Sequence, residues 1–234
     1  MLKSKDVKWG GNLLSAGTNA KIVKDNGDEY IVAGLSLMSA DKVEGINVCP
    51  MSDCAGCKQG CLESAGRGAF SNVKQARTRK TEFYRDDRQG FMATVEGDIS
   101  AFKRKCELLG VKPAIRLNVL SDINYMKVIE KFPDVQFYDY TKNLKWAFKD
   151  VPPNYHLTFS YSGTDKYKPL VDKVIKETSH NVAVVFRKEL PATFMGRKVI
   201  DGDVNDFRFD DEQGVIVGLK AKGKAKKDVS GFVI

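Results

Sequence analysis

The chain has 234 residues and a formal net charge of +8, with 38 Lys and Arg against 30 Asp and Glu. That length buries a core without needing a metal or disulfide as its only staple, which excludes a stapled miniprotein and makes one domain the default. No apolar run approaches the ~20 residues of a membrane span, and no apolar leader opens the chain, so a helical membrane protein is excluded and the cytoplasm is expected. The positive balance points to a polyanionic partner, most simply nucleic acid, against a basic surface that only aids solubility.

Residues 1–20 are polar with glycines and read as a loosely ordered N-terminal arm, leaving 21–234 as a single α/β domain. Tyr30 to Met38 is a short apolar run of strand type. A cysteine-rich loop, 49–68, comes soon after it. Asn72 to Arg88 carries a basic series on a helical stretch that Ser71 or Asn72 is placed to cap. Phe91 to Leu109 is the clearest amphipathic helix, with Val95, Ile99, Phe102 and Cys106 on its apolar stripe and Gly110 placed to end it. Cys106 is therefore a core residue.

From there strands and helices alternate. Strands are expected at Ala114–Leu120, Val135–Tyr140, Tyr155–Ser160, Asn181–Phe186, Lys198–Ile200 and Gly214–Gly218. Helices are expected at Asp122–Lys131, Leu144–Lys149 and Tyr167–Thr178. Apolar strands separated by helical connections argue for a parallel sheet covered on both faces. The expected fold is an α/β parallel-sheet barrel or partial barrel of the TIM type, with an open doubly wound sheet as the alternative.

Four of the five cysteines, Cys49, Cys54, Cys57 and Cys61, fall within thirteen residues. Thiols so close in a cytoplasmic chain are the donor set of a soft metal centre, and four thiolates suit zinc and an iron–sulfur cluster alike. Two disulfides or inert buried thiols are the competing reading. His156 and His180 sit near strand starts and read as core or surface residues.

In parallel α/β sheets, chemistry gathers at the carboxyl ends of the strands. Those ends carry Asp122, Asp139, Asp201, Asp203 and Asp206, a supply of carboxylates for acid, base or nucleophile roles. As plain turn chemistry, the same residues would cap helices. Arg67, Lys74, Arg77, Arg79, Lys80, Arg116, Lys142, Lys220 and Lys222 are the candidates for holding nucleic-acid phosphates. Tyr138, Tyr140, Phe159 and Tyr161 alternate with polar positions and are placed either to stack a base or to fill the core.

Several ordered blocks carry a resemblance: CPMSDCAGCKQGCLESAGRG at 49–68, RLNVLSDI at 116–123 and FYDYTK at 137–142, then NYHLTFS at 154–160, VAVVF at 182–186, DGDVNDFRF at 201–209 and GLKAKG at 218–223. Together they resemble the bacteriophage gene product 88 family over residues 45–234. The resemblance implies a phage origin and expression in bacterial cytoplasm, and it assigns no catalytic residue. More loosely, a cysteine loop after an early strand is similar to radical S-adenosylmethionine enzymes, although the order here is C-x2-C-x3-C at the three closest cysteines. An acidic-rimmed barrel with a cysteine-held metal and a basic face is similar to the DNA guanine transglycosylases, whose zinc ligands come late and include a histidine.

The first expectation is thus a phage enzyme acting on nucleic acid, DNA above all. It would exchange or modify a base, inserting a small 7-deazaguanine, with Asp122 and Asp203 (or Asp201, Asp206) as its acid, base and nucleophile. The alternatives are an iron–sulfur redox or radical enzyme on a small molecule, and a non-catalytic nucleic-acid-binding protein with a structural zinc.

Overall fold

The computed structural model describes residues 8–17, 29–61, 63 and 66–234, with Arg67 described through its backbone alone. The frame is a ten-stranded mixed sheet. Its strands are β1 (Trp9–Gly10), β2 (Leu14–Ala16), β3 (Tyr30–Leu35), β4 (Lys112–Arg116), β5 (Gln136–Thr141), β6 (Tyr155–Ser160), β7 (Val182–Phe186), β8 (Thr193–Phe194), β9 (Arg197–Asp201) and β10 (Ile216–Lys220). The order is β1-β2-β3-β4-β5-β6-β7-β10-β9-β8. From β3 to β9 every neighbouring pair is parallel.

Among the described residues four α-helices accompany it: α1 (Ser71–Asp86), α2 (Arg88–Leu109), α3 (Met126–Ile129) and α4 (Lys168–Glu177). Each of β4 to β7 lies beside the strand before it, and right-handed crossovers in such a singly wound run fall on one face. That face holds the main core. Ile31, Ala33 and Leu35 of β3, Ile115 of β4, Phe137 of β5 and Leu157 and Phe159 of β6 pack with Phe91, Val95, Ile99, Phe102 and Cys106 of α2 and Val171, Val174 and Ile175 of α4. Gly110 ends α2 in the left-handed conformation, φ 67°, as the sequence predicts.

The expected barrel does not close. β2 pairs antiparallel with β3 at one end of the parallel run and β8 pairs antiparallel with β9 at the other, so these short strands occupy the edges that closure would join. The sheet keeps the sequential order of a barrel but stays open. Among the described residues, its second face is covered by a 3-10 helix, Arg208–Asp210, and the segment leading into it. There Val32, Ala114 and Tyr138 pack under Phe207 and Phe209, from the segment that follows β9. Gly202 allows that segment to press on the sheet, because a Cβ at this position would lie 2.4 Å from Val217 Cγ1.

Other departures are local. Part of the expected arm is ordered sheet: β1 and β2 hold residues of that stretch, while 1–7 and 18–20 lie outside the described residues. Asp98 of α2 anchors it, accepting from the backbone N–H groups of Asn12, Leu13 and Leu14 at 3.0, 2.7 and 2.9 Å. The helix expected over Asp122–Lys131 shrinks to α3, because side-chain bonds of Asn118 and Asp122 shape its first half into a loop. The stretch expected as a helix at Leu144–Lys149 is a 3-10 helix, Leu144–Phe148. Among the described residues, no helix is long and apolar enough to cross a membrane.

Candidate active site

The strand ends and the cysteine loop enclose one cleft of about 230 Å³. Its walls come from far apart in the chain: Cys49, Cys57 and Cys61 from the loop, Asp122 from the turn after β4, Thr141 and Lys142 after β5, Tyr161 after β6, and Asp203, Lys220 and Lys222 around β10. This is where a parallel sheet places ligands.

The turn after β4 is built by Asn118. Its Oδ1 accepts from the Ser121 hydroxyl and from Ile123 N–H, both at 2.8 Å, and its Nδ2 donates to the Ile123 carbonyl at 2.9 Å. The turn carries Asp122 across to the end of β5. Asp122 Oδ1 accepts from the Thr141 hydroxyl at 2.7 Å, and its Oδ2 accepts from the Lys142 N–H at 2.9 Å. Burial raises the Asp122 pKa, and these two bonds oppose the rise. The result is a carboxyl suited to carrying a proton. Lys142 is half-buried, and burial pulls its ammonium below the ordinary lysine value.

The cysteine loop is docked by its backbone. Cys54 and Ala55 carbonyls accept from the hydroxyls of Thr164 and Ser162 at 2.8 and 2.7 Å, and the Gly56 carbonyl accepts from Ser230 at 3.1 Å. The Cys49 thiol donates to the Leu120 carbonyl at 3.2 Å, tying the loop to the turn that carries Asp122. All five cysteines are free thiols, so the disulfide reading is not realised. Burial pushes the Cys49 thiol up to about 12. Among the described residues no three His, Cys, Asp or Glu side chains converge closely enough to hold a metal. Four thiols share one loop, and three of them, Cys49, Cys57 and Cys61, line the cleft.

The expected carboxylates divide. Asp122 and Asp203 both line the cleft. Asp203 pairs with Lys222 at 2.5 Å and accepts from the Lys220 N–H at 3.0 Å. Asp201 accepts from the Asp203 N–H at 2.8 Å and shapes that turn. Asp206 is buried in an ion pair with Arg116 and accepts from the Tyr140 hydroxyl at 3.1 Å. Asp139 is not a rim residue: its strand phase matches Phe137, so it points into the helix-covered core. There it accepts from Asn118 N–H at 2.8 Å and from the Tyr155 hydroxyl at 3.1 Å.

The cations divide as well. Arg116 lines the cleft but is buried, so it serves Asp206 rather than a phosphate surface; burial is the largest influence and opposes its charge, and Asp206, Tyr138, Tyr140 and Asp139 together outweigh it. Lys80 caps the Leu13 carbonyl. Arg77 is half-buried on α1, whereas Lys74 and Arg79 are exposed there. Lys220 and Lys222 stand at the cleft mouth, and the Arg67 side chain lies outside the described residues. Of the four aromatics, Tyr140 and Tyr161 line the cleft, while Tyr138 and Phe159 are core. Neither histidine joins the site: burial pulls His156 down to about 4, and His180 packs on Phe159 with ring centroids 5.0 Å apart. Sequence reasoning missed Phe232, which no local pattern marks, and gave no role to Thr141 at its strand end.

A family model described as Gene product 88 matches residues 12–234. The chain belongs to the Gene product 88 family. The match extends the resemblance read from residues 45–234 to the N-terminal strands. Neither the comparison with curated proteins nor that with solved structures returns a match. In this member of the Gene product 88 family, the chemistry is therefore read from the cleft itself.

Proposed function

We propose that the chain is an enzyme acting on nucleic acid, DNA above all, at a base or its sugar, with the cleft at the strand ends as its active site. One observation carries this reading: Asp122, Asp203, Lys142 and three thiols, scattered from residue 49 to 203, line a single cleft. A protein that only bound a polyanion would gain nothing from carboxylates in its basic cleft. The volume is below the roughly 300–1,000 Å³ of sites for drug-sized ligands, so it suits one ring system turned out of a strand.

In this reading Asp122 delivers and removes the proton at the base that leaves or enters. Asp203, held by Lys222, orients the sugar, and Lys220 meets the phosphate. Tyr140 and Tyr161 offer rings to the base. Cys49, Cys54, Cys57 and Cys61 would hold the metal. Bound there, zinc supplies a Lewis acid, and an iron–sulfur cluster supplies an electron-transfer centre.

A second reading, an iron–sulfur enzyme on a small molecule, is favoured by the thiols lining the reacting cleft rather than a remote structural site. Anaerobic purification with visible absorbance and iron and zinc analysis separates the two. A brown, iron-loaded protein supports the second reading. For the first, incorporation of a labelled base into DNA is measured. Asp122→Asn is expected to lower it by about 10²–10⁴-fold, the share of a general acid–base. Undiminished incorporation by the variant would remove Asp122 from the chemistry, and no incorporation by the wild-type protein would remove DNA base exchange.

A further inference from the structure

We propose that Lys142 is the covalent nucleophile of this cleft, and that its substrate presents an aldehyde carbon to which the lysine amine adds to form an imine. The proposal rests on the reading of the cleft as an enzyme site and names the substrate class it takes. The open-chain aldehyde of a sugar that has lost its base belongs to that class.

The surroundings of Lys142 set it apart from the other cleft lysines. Lys222 is paired with Asp203 and Lys220 is exposed at the mouth. Lys142 is half-buried, and its Nζ meets the Tyr161 carbonyl at 3.4 Å. Among the described residues no carboxylate oxygen forms a close ion pair with it; Asp122 and the thiols of Cys57 and Cys49 are the ionisable groups near it. Instead it lies over two aromatic faces, 5.5 Å from the Tyr167 ring centre and 4.9 Å from that of Phe232. A lysine used to hold the fold together is normally given a carboxylate, and one used for phosphate is normally left in water. A lysine amine framed by apolar rings inside a cleft has the setting that activates it toward carbonyl carbons.

Its root is fixed too. The Lys142 backbone N–H donates to Asp122 Oδ2, so amine and carboxyl project from one anchored point into the same space. Tyr167 holds the other side: its hydroxyl donates to the carbonyl oxygens of Lys142 and Ser160, each at 3.0 Å.

The step balances without an oxidant or reductant. The amine lone pair attacks the aldehyde carbon, a C–N bond forms, and the carbonyl π pair moves to oxygen. Asp122 relays the two amine hydrogens to that oxygen. The C–O bond then breaks and water leaves, giving R–N=CH–R′ from R–NH2 and O=CH–R′.

Pyridoxal 5′-phosphate, an anionic aldehyde, tests the amine directly. The full chain is treated with less than one equivalent, reduced with sodium borohydride, and mapped by peptide mass spectrometry. The expected result is one adduct, on Lys142, retained in Lys149→Arg, which lies outside the cleft, and lost in Lys142→Arg. Adducts spread over exposed lysines such as Lys145 and Lys149, or undiminished in Lys142→Arg, would overturn the proposal. Should Lys142→Arg fail to fold, judged by circular dichroism, the map on the wild-type protein decides alone. A second probe, an oligonucleotide with one abasic site, separates this proposal from the functional reading. Labelling of Lys142 by the small aldehyde without trapping of the oligonucleotide keeps the lysine and sinks the nucleic-acid substrate. Binding of the oligonucleotide with no imine at either probe keeps the substrate and sinks the lysine.

Discussion

The Thr141 hydroxyl donates to Asp122 at 2.7 Å, joining the turn after β4 to the end of β5 across the floor of the cleft. A hydrogen bond to a charged group contributes about 1.5–3 kcal/mol. Thr141→Val is therefore expected to cut turnover roughly tenfold or more, while Thr141→Ser, which keeps the hydroxyl, holds it near wild type. Equal losses in both variants would show that the methyl group, not the bond, matters.

Arg116 and Asp206 are buried together on the second face of the sheet. Removing one partner strands the other charge. Arg116→Met is expected to cost about 3–5 kcal/mol in urea denaturation, and adding Asp206→Leu is expected to recover most of it. A double variant no more stable than the single one would argue against a paired charge.

Asp98 is the only side chain fastening the N-terminal strands to α2 through three backbone donors in the described residues. Asp98→Ala leaves buried N–H groups at Leu13 and Leu14 without their acceptor, at a cost of about 1–3 kcal/mol. Amide exchange at residues 12–14 should accelerate while β5 and β6 stay protected. Unchanged protection at 12–14 would refute the anchoring role.

Asp139 links stability to pH. Burial raises its pKa to about 7, against the ordinary aspartate value of 3.8. Between those values the folded chain binds a proton that the unfolded chain has released, so this group's contribution to stability falls as pH rises through the window and is level above it. Asp139→Asn removes the titration. The urea midpoint of the wild-type protein, relative to that of Asp139→Asn, should be higher at about pH 5 than at about pH 8. A difference independent of pH would show that Asp139 does not titrate there.

Much of the frame was legible because its strands are either apolar runs, as in Val182–Phe186, or alternate apolar with polar residues, as in Tyr155–Ser160. Tyr155–Ser160 was read to the residue, and α2 and α4 to within a few residues. Closure was not legible, because it depends on which distant strands pair, and β1, β2 and β8 are too short to show a period. Asp139 was misplaced for want of a parity count: two residues on from Phe137, it must share the Phe137 face. Asp122 and Asp203 were placed correctly at strand ends. The singular setting of Lys142 was not visible, because Tyr161, Tyr167 and Phe232 reach it from remote parts of the chain.

β10 enters the sheet between β7 and β9, pairing at five positions with the first and three with the second. In the described residues β9 meets the main sheet through β10, so β8, β9 and β10 should come away together as one cooperative unit. That unit carries Asp203, Lys220 and the segment covering the second face. Loosening it would open one wall of the cleft while β3 to β7, with the opposite wall, stay assembled. A guest too large for the closed cavity thus has a route in that leaves the central sheet intact.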